Sequence, residues 1–162
     1  MAHPGLVVFD LDFTLWDCGG LWIDCTSHPL KRDDGGQVTD SEGRRFRLYE
    51  EALEILEELD SCGVPLGLAS RTERPDWAEE LLHLWALKDR FLYREIYPGS
   101  KVSHFNSLQR ATNLGFDEMI FFDDEPRNIE EVSALGVHYH QVTSGVNLDL
   151  LRSALKSFFE KN

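Results

Sequence analysis

Five short apolar runs, spaced by segments of helical periodicity, constrain this chain more than any other feature. They are Leu6–Phe9, Pro65–Ala69, the more mixed Phe91–Tyr97, Met119–Phe122 and Val137–Val142. Runs of this length without alternation suit strands buried on both faces, the signature of a parallel sheet.

The segments between them read as helices. Glu50–Cys62 sets Leu53, Leu56 and Leu59, with Ala52 and Ile55, on one stripe, and Gly63 follows as a left-handed stop. Pro75 opens a second helix with Trp77, Leu81, Leu84 and Trp85 on one side, the two tryptophans read as core packing. Ser100–Asn113, stopped by Gly115, is a third; Pro126–Leu135, closed by Gly136, is a fourth; Leu148–Phe159 is the last. Strand and helix alternate, so the fold class is α/β: a Rossmann-like parallel sheet of about five strands with right-handed crossovers, flanked by helices. The whole of 1–162 reads as one domain, an ordinary size for a single core. One stretch, 16–47, breaks the rhythm, because a βα loop normally takes about 2–6 residues. Asp33–Gly36 and Asp40–Gly43 are turn signals flanking Gln37, Val38 and Thr39. The expectation is a small β-hairpin flap after the first strand and no large cap domain.

Charge narrows the partners. Sixteen Lys and Arg against 29 Asp and Glu leave a net charge of −13. This disfavours nucleic acid, whose backbone needs clustered cations, yet leaves phosphorylated substrates open, since a divalent cation reverses the local sign. No apolar run approaches a membrane span, and the N-terminus shows no signal-peptide pattern. Cys18, Cys25 and Cys62 include no CxxC pair and read as free thiols. A cytoplasmic protein without membrane or nucleic-acid partners is expected.

The chemistry should sit beyond the carboxyl ends of the strands. The first strand ends in Asp10, Leu11, Asp12, Phe13 and Thr14; the second in Ser70, Arg71 and Thr72; Lys101 starts the helix after the third; the fourth ends in Asp123, Asp124 and Glu125. Carboxylates about 4 Å apart repel by roughly 4 kcal/mol at an effective dielectric near 20, which a cation among them relieves. Oxygen donors without a Cys or His pattern suit Mg²⁺. Ser70, Lys101 and helix N-terminal amides can hold phosphate oxygens. An Asp there can attack phosphorus, and another two residues on can trade protons with leaving group and water. The pattern reads as phosphoryl transfer.

FDLDFTL, SRT, the Lys of YPGSK and FFDDE, in that order, resemble the four motifs of the haloacid dehalogenase superfamily, and the Asp-x-Asp-x-Thr form resembles its phosphatase branch. FDLDFTLW, LASRT, REIYPGSK and FFDDEPRNI are similar to the magnesium-dependent phosphatase group, small enzymes without a large cap. The likeness spans Leu6 to about Val137 and is weaker from Asp17 to Arg47. It implies Asp10 as nucleophile and Mg²⁺ ligand, and Asp12 as general acid/base whose backbone carbonyl also binds the metal. It implies Asp123 as the third metal contact, Ser70 on the phosphoryl group, Arg71 near the substrate and Lys101 neutralising Asp10 and phosphate. Thr14, Asp124 and Asn128 would support these groups. Phe13 stands where the wider superfamily commonly has Gly, and is expected to shape the substrate mouth. The resemblance also implies phosphotyrosine on proteins or phosphorylated sugar adducts as substrates.

The remaining candidates are weaker. His138 and His140, two apart on a strand, read as packing rather than a metal pair, for want of a third ligand. His28, His83 and His104 read as surface residues, with His28 in the flap able to touch substrate. Trp16 and Trp22 border the flap, either as active-site wall or as flap packing. Arg44, Arg45 and Arg47 read as solvated hairpin charges. The function expected is a Mg²⁺-dependent phosphomonoesterase working through an aspartyl phosphate, on protein phosphotyrosine, aryl phosphates or sugar adducts. A small sugar-phosphate phosphatase is the alternative within the class. A receiver-like phospho-aspartate module is the alternative outside it, although receivers carry their acidic pair and phosphorylated Asp in another order.

Overall fold

The computed structural model describes residues 3–161. Strand β1 (Leu6–Phe9) enters the insertion, which holds β2 (Trp16–Cys18), β3 (Lys31–Arg32), β4 (Val38–Thr39) and β5 (Arg45–Leu48). Helix α1 (Ala52–Ser61), β6 (Leu66–Ser70), α2 (Pro75–Leu84), β7 (Tyr93–Ile96), α3 (Lys101–Thr112), β8 (Met119–Asp123), α4 (Pro126–Ser133), β9 (His138–Gln141) and α5 (Leu148–Lys161) follow. The five expected strands form one parallel sheet in the order β7-β6-β1-β8-β9. Val8 lies between Gly67 and Phe121, which puts β1 at the centre.

Residues of β1 alternate between two cores. Val7 and Phe9 join the side chains of α1, α2 and α5; Leu6 and Val8 join those of α3 and α4. Strands β1, β6 and β8 are buried throughout, as their unbroken apolar text requires. The edge strands β7 and β9 are only partly covered, which explains their mixed composition. His138 and His140 pack on Phe158 and Phe122, with ring centroids 4.9 and 5.8 Å apart.

Two helical details differ from the sequence reading. Ala52, Ile55, Leu56 and Leu59 form the buried stripe of α1, while Leu53 is turned to solvent. At 100° per residue Leu53 falls outside the arc that this set defines. Helix α3 stops at Asn113, whose φ of 59° is left-handed, two residues before the Gly115 expected to end it. Asn tolerates that region better than most side chains.

The insertion is more elaborate than a hairpin. Its four strands form an antiparallel sheet in the order β2-β5-β4-β3. Both predicted turns are present: Gly36 N donates to Asp33 O, and Gly43 N to Asp40 O, each at 3.0 Å. Strands of two to four residues leave too little periodicity to read in advance. Trp16, Cys18, Ile23, Val38 and Phe46 are buried in the same core as α1, α2 and α5, so the flap is seated on the main sheet.

Asp40 fastens the flap internally. Its carboxylate accepts from Ser27 N (3.0 Å), Glu42 N (3.0 Å), Arg44 N (2.9 Å) and Arg44 Nη1 (2.8 Å). Burial works to raise its pKa, but the Arg44 guanidinium and the amides outweigh it and hold the carboxyl below its usual range. A depressed folded-state pKa contributes stability above the unfolded value near 4, which is lost as pH falls through the folded value. Asp40→Ala is therefore expected to cost about 2–3 kcal/mol at pH 7, with the deficit shrinking below about pH 4. Urea unfolding across that range checks it, and a deficit independent of pH contradicts the assignment.

Candidate active site

The central strand decides where the site lies. β1 is flanked by β6 and β8, so the chain's path away from β1 reverses direction across the sheet here, leaving a crevice at the carboxyl edge. Asp10 follows β1 and its N–H donates to Phe122 O at 3.0 Å. Ser70 and Asp123 are the last residues of β6 and β8, and Lys101 is the first of α3. Ser100 caps α3, its Oγ accepting from Val102 N at 3.2 Å, which sets the helix start that carries Lys101.

These four stretches converge. Lys101 is completely buried, and its Nζ donates to Asp10 Oδ1 (3.1 Å), Asp123 Oδ2 (3.0 Å) and the Ala69 carbonyl. All three ammonium protons are used. Burial disfavours the charge on Lys101, but Asp10 and Asp123 outweigh it and raise its pKa. Asp10 is pushed well above the carboxylate range, first by burial and then by the charge of Asp123, with Lys101 offsetting part of the effect. Asp10 also accepts from Thr14 Oγ1 at 3.2 Å. Asp123 is held by Asn128 Nδ2 (2.9 Å) and Glu125 N (2.9 Å).

Oxygens of Asp10, Asp123 and Asp124 lie within 4.8 Å of one another. Burial raises Asp124 to about 6. Three carboxylates beside one ammonium leave about two negative charges when all are ionised, and the donors are all oxygen. Both the charge and the donor set fit a hard dication. Asp124, expected to support the site from outside, stands within this cluster.

Asp12 belongs to a different arrangement. Its Oδ1 accepts from Trp16 Nε1 at 2.7 Å, and its Oδ2 from Ile23 N at 3.1 Å. Burial raises it to about 6 against both bonds. Trp16 is fully buried, so it packs the flap and also aims Asp12. Phe13 has φ 61°, the left-handed region that favours glycine. That conformation accounts for the Gly of the resembled motif, and Phe13 N is secured by Trp16 O at 2.7 Å. Phe13 is not among the residues lining the site cavity, so the expectation that it shapes the mouth is corrected.

The cavity over these groups measures about 480 Å³. Its lining includes Asp10, Asp12, Ser70, Arg71, Asp124 and Asn128, with Trp22, Asp24 and Cys25 from the flap. Arg71 Nη1 donates to Asn128 Oδ1 at 2.7 Å, so a continuous chain runs from Arg71 through Asn128 to Asp123. Glu131, missed in the sequence, receives Ser100 Oγ (3.0 Å) and Lys101 N (3.3 Å), and pairs with Arg71 at 3.6 Å. It lies next to Glu130 on α4, and only the packing of α4 beside α3 reveals its partners.

Two imidazole assignments change, and one tryptophan gains a second role. His104 is buried rather than on the surface; its ring nitrogens lie 2.8 Å from Ser70 O and Tyr97 O and 3.0 Å from Ser100 O. It ties together the ends of β6, β7 and the start of α3, a long-range role without local signature. His28 stacks on Trp77 at 3.7 Å between centroids, and is absent from the cavity lining. Trp77 is correspondingly half-buried, a seat for the flap as much as core.

The model of the acid phosphatase family matches residues 2–161. Magnesium-dependent phosphatase 1 of Homo sapiens is 47% identical over 156 residues, 96% of this chain and 87% of that protein. The chain belongs to the acid phosphatase family of haloacid dehalogenase-like proteins. A HAD-like hydrolase superfamily protein of Schizosaccharomyces pombe is 38% identical, with 93% of this chain and 92% of that protein covered. Among solved structures, the phosphatase domain of a Bacteroides fragilis protein, complexed with Mg, gives a TM-score of 0.68 at 20% identity; it covers 94% of this chain, which spans 40% of that one. A HAD-superfamily hydrolase of Ehrlichia chaffeensis gives 0.69 at 14% identity, covering 98% and 99%. The acid phosphatase family match thus runs through the flap as well as the sheet. Among the described residues no helix is long and apolar enough to cross a membrane.

Lys101→Met would leave Asp10 and Asp123 without their buried counter-charge. In EDTA-treated protein it is expected to lower unfolding free energy by about 3 kcal/mol. Urea denaturation measures this, and a loss under about 1 kcal/mol would show that the ammonium does not hold the cluster.

Proposed function

We propose that this chain is a Mg²⁺-dependent phosphomonoesterase that works through an aspartyl phosphate on Asp10. The observation that carries the reading is the buried Lys101 bridging Asp10 and Asp123, with Asp124 against them and Asp12 lining the same cavity. The relatives named above as magnesium-dependent or HAD-like hydrolases support the same reading.

Asp10, Asp123 and the Asp12 backbone carbonyl would hold Mg²⁺, with Asp124 adjoining. When bound, the ion supplies positive charge against phosphoryl oxygens in line with attack. An Asp10 carboxylate oxygen bonds to phosphorus as the ester P–O bond breaks, and Asp12 gives its proton to the departing oxygen. Water then attacks the aspartyl phosphate, Asp12 takes the water's proton, and inorganic phosphate leaves with Asp10 restored. Lys101 favours the ionised form of Asp10 that attacks, offsetting part of the cost of its burial. Ser70 holds the transferring group and Arg71 lies toward the substrate. Thr14 steadies Asp10, and Asn128 steadies Asp123.

The substrate class is proposed as protein phosphotyrosine, aryl phosphates or phosphorylated sugar adducts. A cavity of about 480 Å³ far exceeds what a phosphoryl group fills, and among the described residues no cap domain closes over it. Room remains for a leaving group on a larger molecule.

Turnover of p-nitrophenyl phosphate is expected to vanish in EDTA and return with Mg²⁺. Asp10→Asn should lower it at least about 10³-fold; metal-independent turnover, or an unaffected variant, would refute the assignment. Asp12→Ala should slow breakdown of the phosphoenzyme by about 10²–10⁴, so that it accumulates and is detectable by acid quench and mass spectrometry. A steady-state rate equal to that of the unmodified enzyme would remove Asp12 from the proton transfers. A phosphoenzyme of the unmodified protein that survives for minutes would favour the receiver-like reading.

A further inference from the structure

Trp22 is the most exposed of the four tryptophans, at 52% of its surface, while Trp16 is fully buried and Trp77 and Trp85 are half-covered. It is also the one aromatic side chain lining the site cavity among the described residues. An indole left in water at the edge of a polar cavity forgoes a large apolar burial. Such a position suits a ring that arrives with a ligand.

The turn that carries the indole is fixed on several sides. Cys25 N donates to Trp22 O at 2.9 Å, closing the turn. Ile23 is buried, and its N–H is held by Asp12. Asp24 accepts from Thr72 Oγ1 and from Glu73 N (3.0 Å), latching the turn to the loop that follows Ser70 and Arg71. A platform held in place loses little freedom when a ring settles on it. Asp24 and Glu73 line the same cavity as the indole.

We propose that Trp22 forms a leaving-group subsite, stacking a ring of a phosphate monoester whose phosphoryl group lies at Asp10. This deepens the phosphatase reading and rests on it. The shared chemistry is stacking on the indole face, which an aromatic ring or the apolar face of a sugar ring provides.

The experiment compares Trp22→Ala and Trp22→Phe with the unmodified Mg²⁺-loaded enzyme on phenyl phosphate, glucose 6-phosphate and the ringless glycerol 2-phosphate. Trp22→Ala should lower kcat/KM for phenyl phosphate about tenfold, chiefly through KM, as loss of one stacked ring implies. Glycerol 2-phosphate should change by less than about twofold, and Trp22→Phe should retain most of the phenyl phosphate activity. A selective loss confined to phenyl phosphate identifies an aromatic ring; one shared with glucose 6-phosphate identifies ring faces generally. Equal losses on all three esters, or no loss on any, overturn the proposal. Calorimetry with phenylphosphonate and methylphosphonate, which are not hydrolysed, separates the two readings. If no ester is turned over but phenylphosphonate binding still depends on Trp22, the enzyme reading fails and the subsite stands. If esters are turned over and both phosphonates bind alike to Trp22→Ala and unmodified protein, the subsite fails alone.

Discussion

A single buried ammonium organises this molecule. Lys101 sits where β1, β6, β8 and α3 meet, and its three protons reach one group from each of the three strands or their ends. A lysine stripped of water is tolerable only with such complete pairing. The pairing in turn demands that the Ala69 carbonyl, Asp10 and Asp123 be held within a hydrogen bond of one point. The helix start at Ser100, the Glu131 carboxylate and the buried His104 all fix the backbone that carries this lysine. Site and fold therefore share one set of constraints.

The flap extends those constraints outward. It enters the main core through Trp16, Cys18 and Phe46, and reaches the site through Trp16, Ile23 and Asp24. Asp12 is thus oriented by the insertion rather than by the sheet. Two carboxylates only two residues apart in sequence come to occupy different surroundings: Asp10 among charges, Asp12 among neutral donors. That separation is what distinct chemical roles at neighbouring positions require.

Much of the architecture was legible because its signals are local. An unbroken apolar run such as Leu6–Phe9 suits a strand covered on both sides, and Asp33–Gly36 suits a turn. The motif residues were legible too, since strand ends in a parallel sheet share one edge. Where local signals were short or ambiguous, the reading fell short. β3 and β4 have two residues each, the i, i+3 step from Leu53 to Leu56 hides that Leu53 lies off the buried arc of α1, and Asn113 competes with Gly115 as a stop.

Glu131, His104 and Trp16 mark the boundary most clearly. Each looks ordinary in sequence, and each gains its role from atoms distant along the chain or from a packing direction that composition does not encode. The sequence by itself determined the strand and helix alternation and the edge on which the acidic groups would gather, because backbone periodicity and side-chain polarity act over a few residues. Only the tertiary structure decided that Asp124 joins Asp10 and Asp123, that Asp12 turns to the flap, and that an indole stands free at the rim. Those outcomes depend on how separate elements pack, and packing is a property of the whole chain at once.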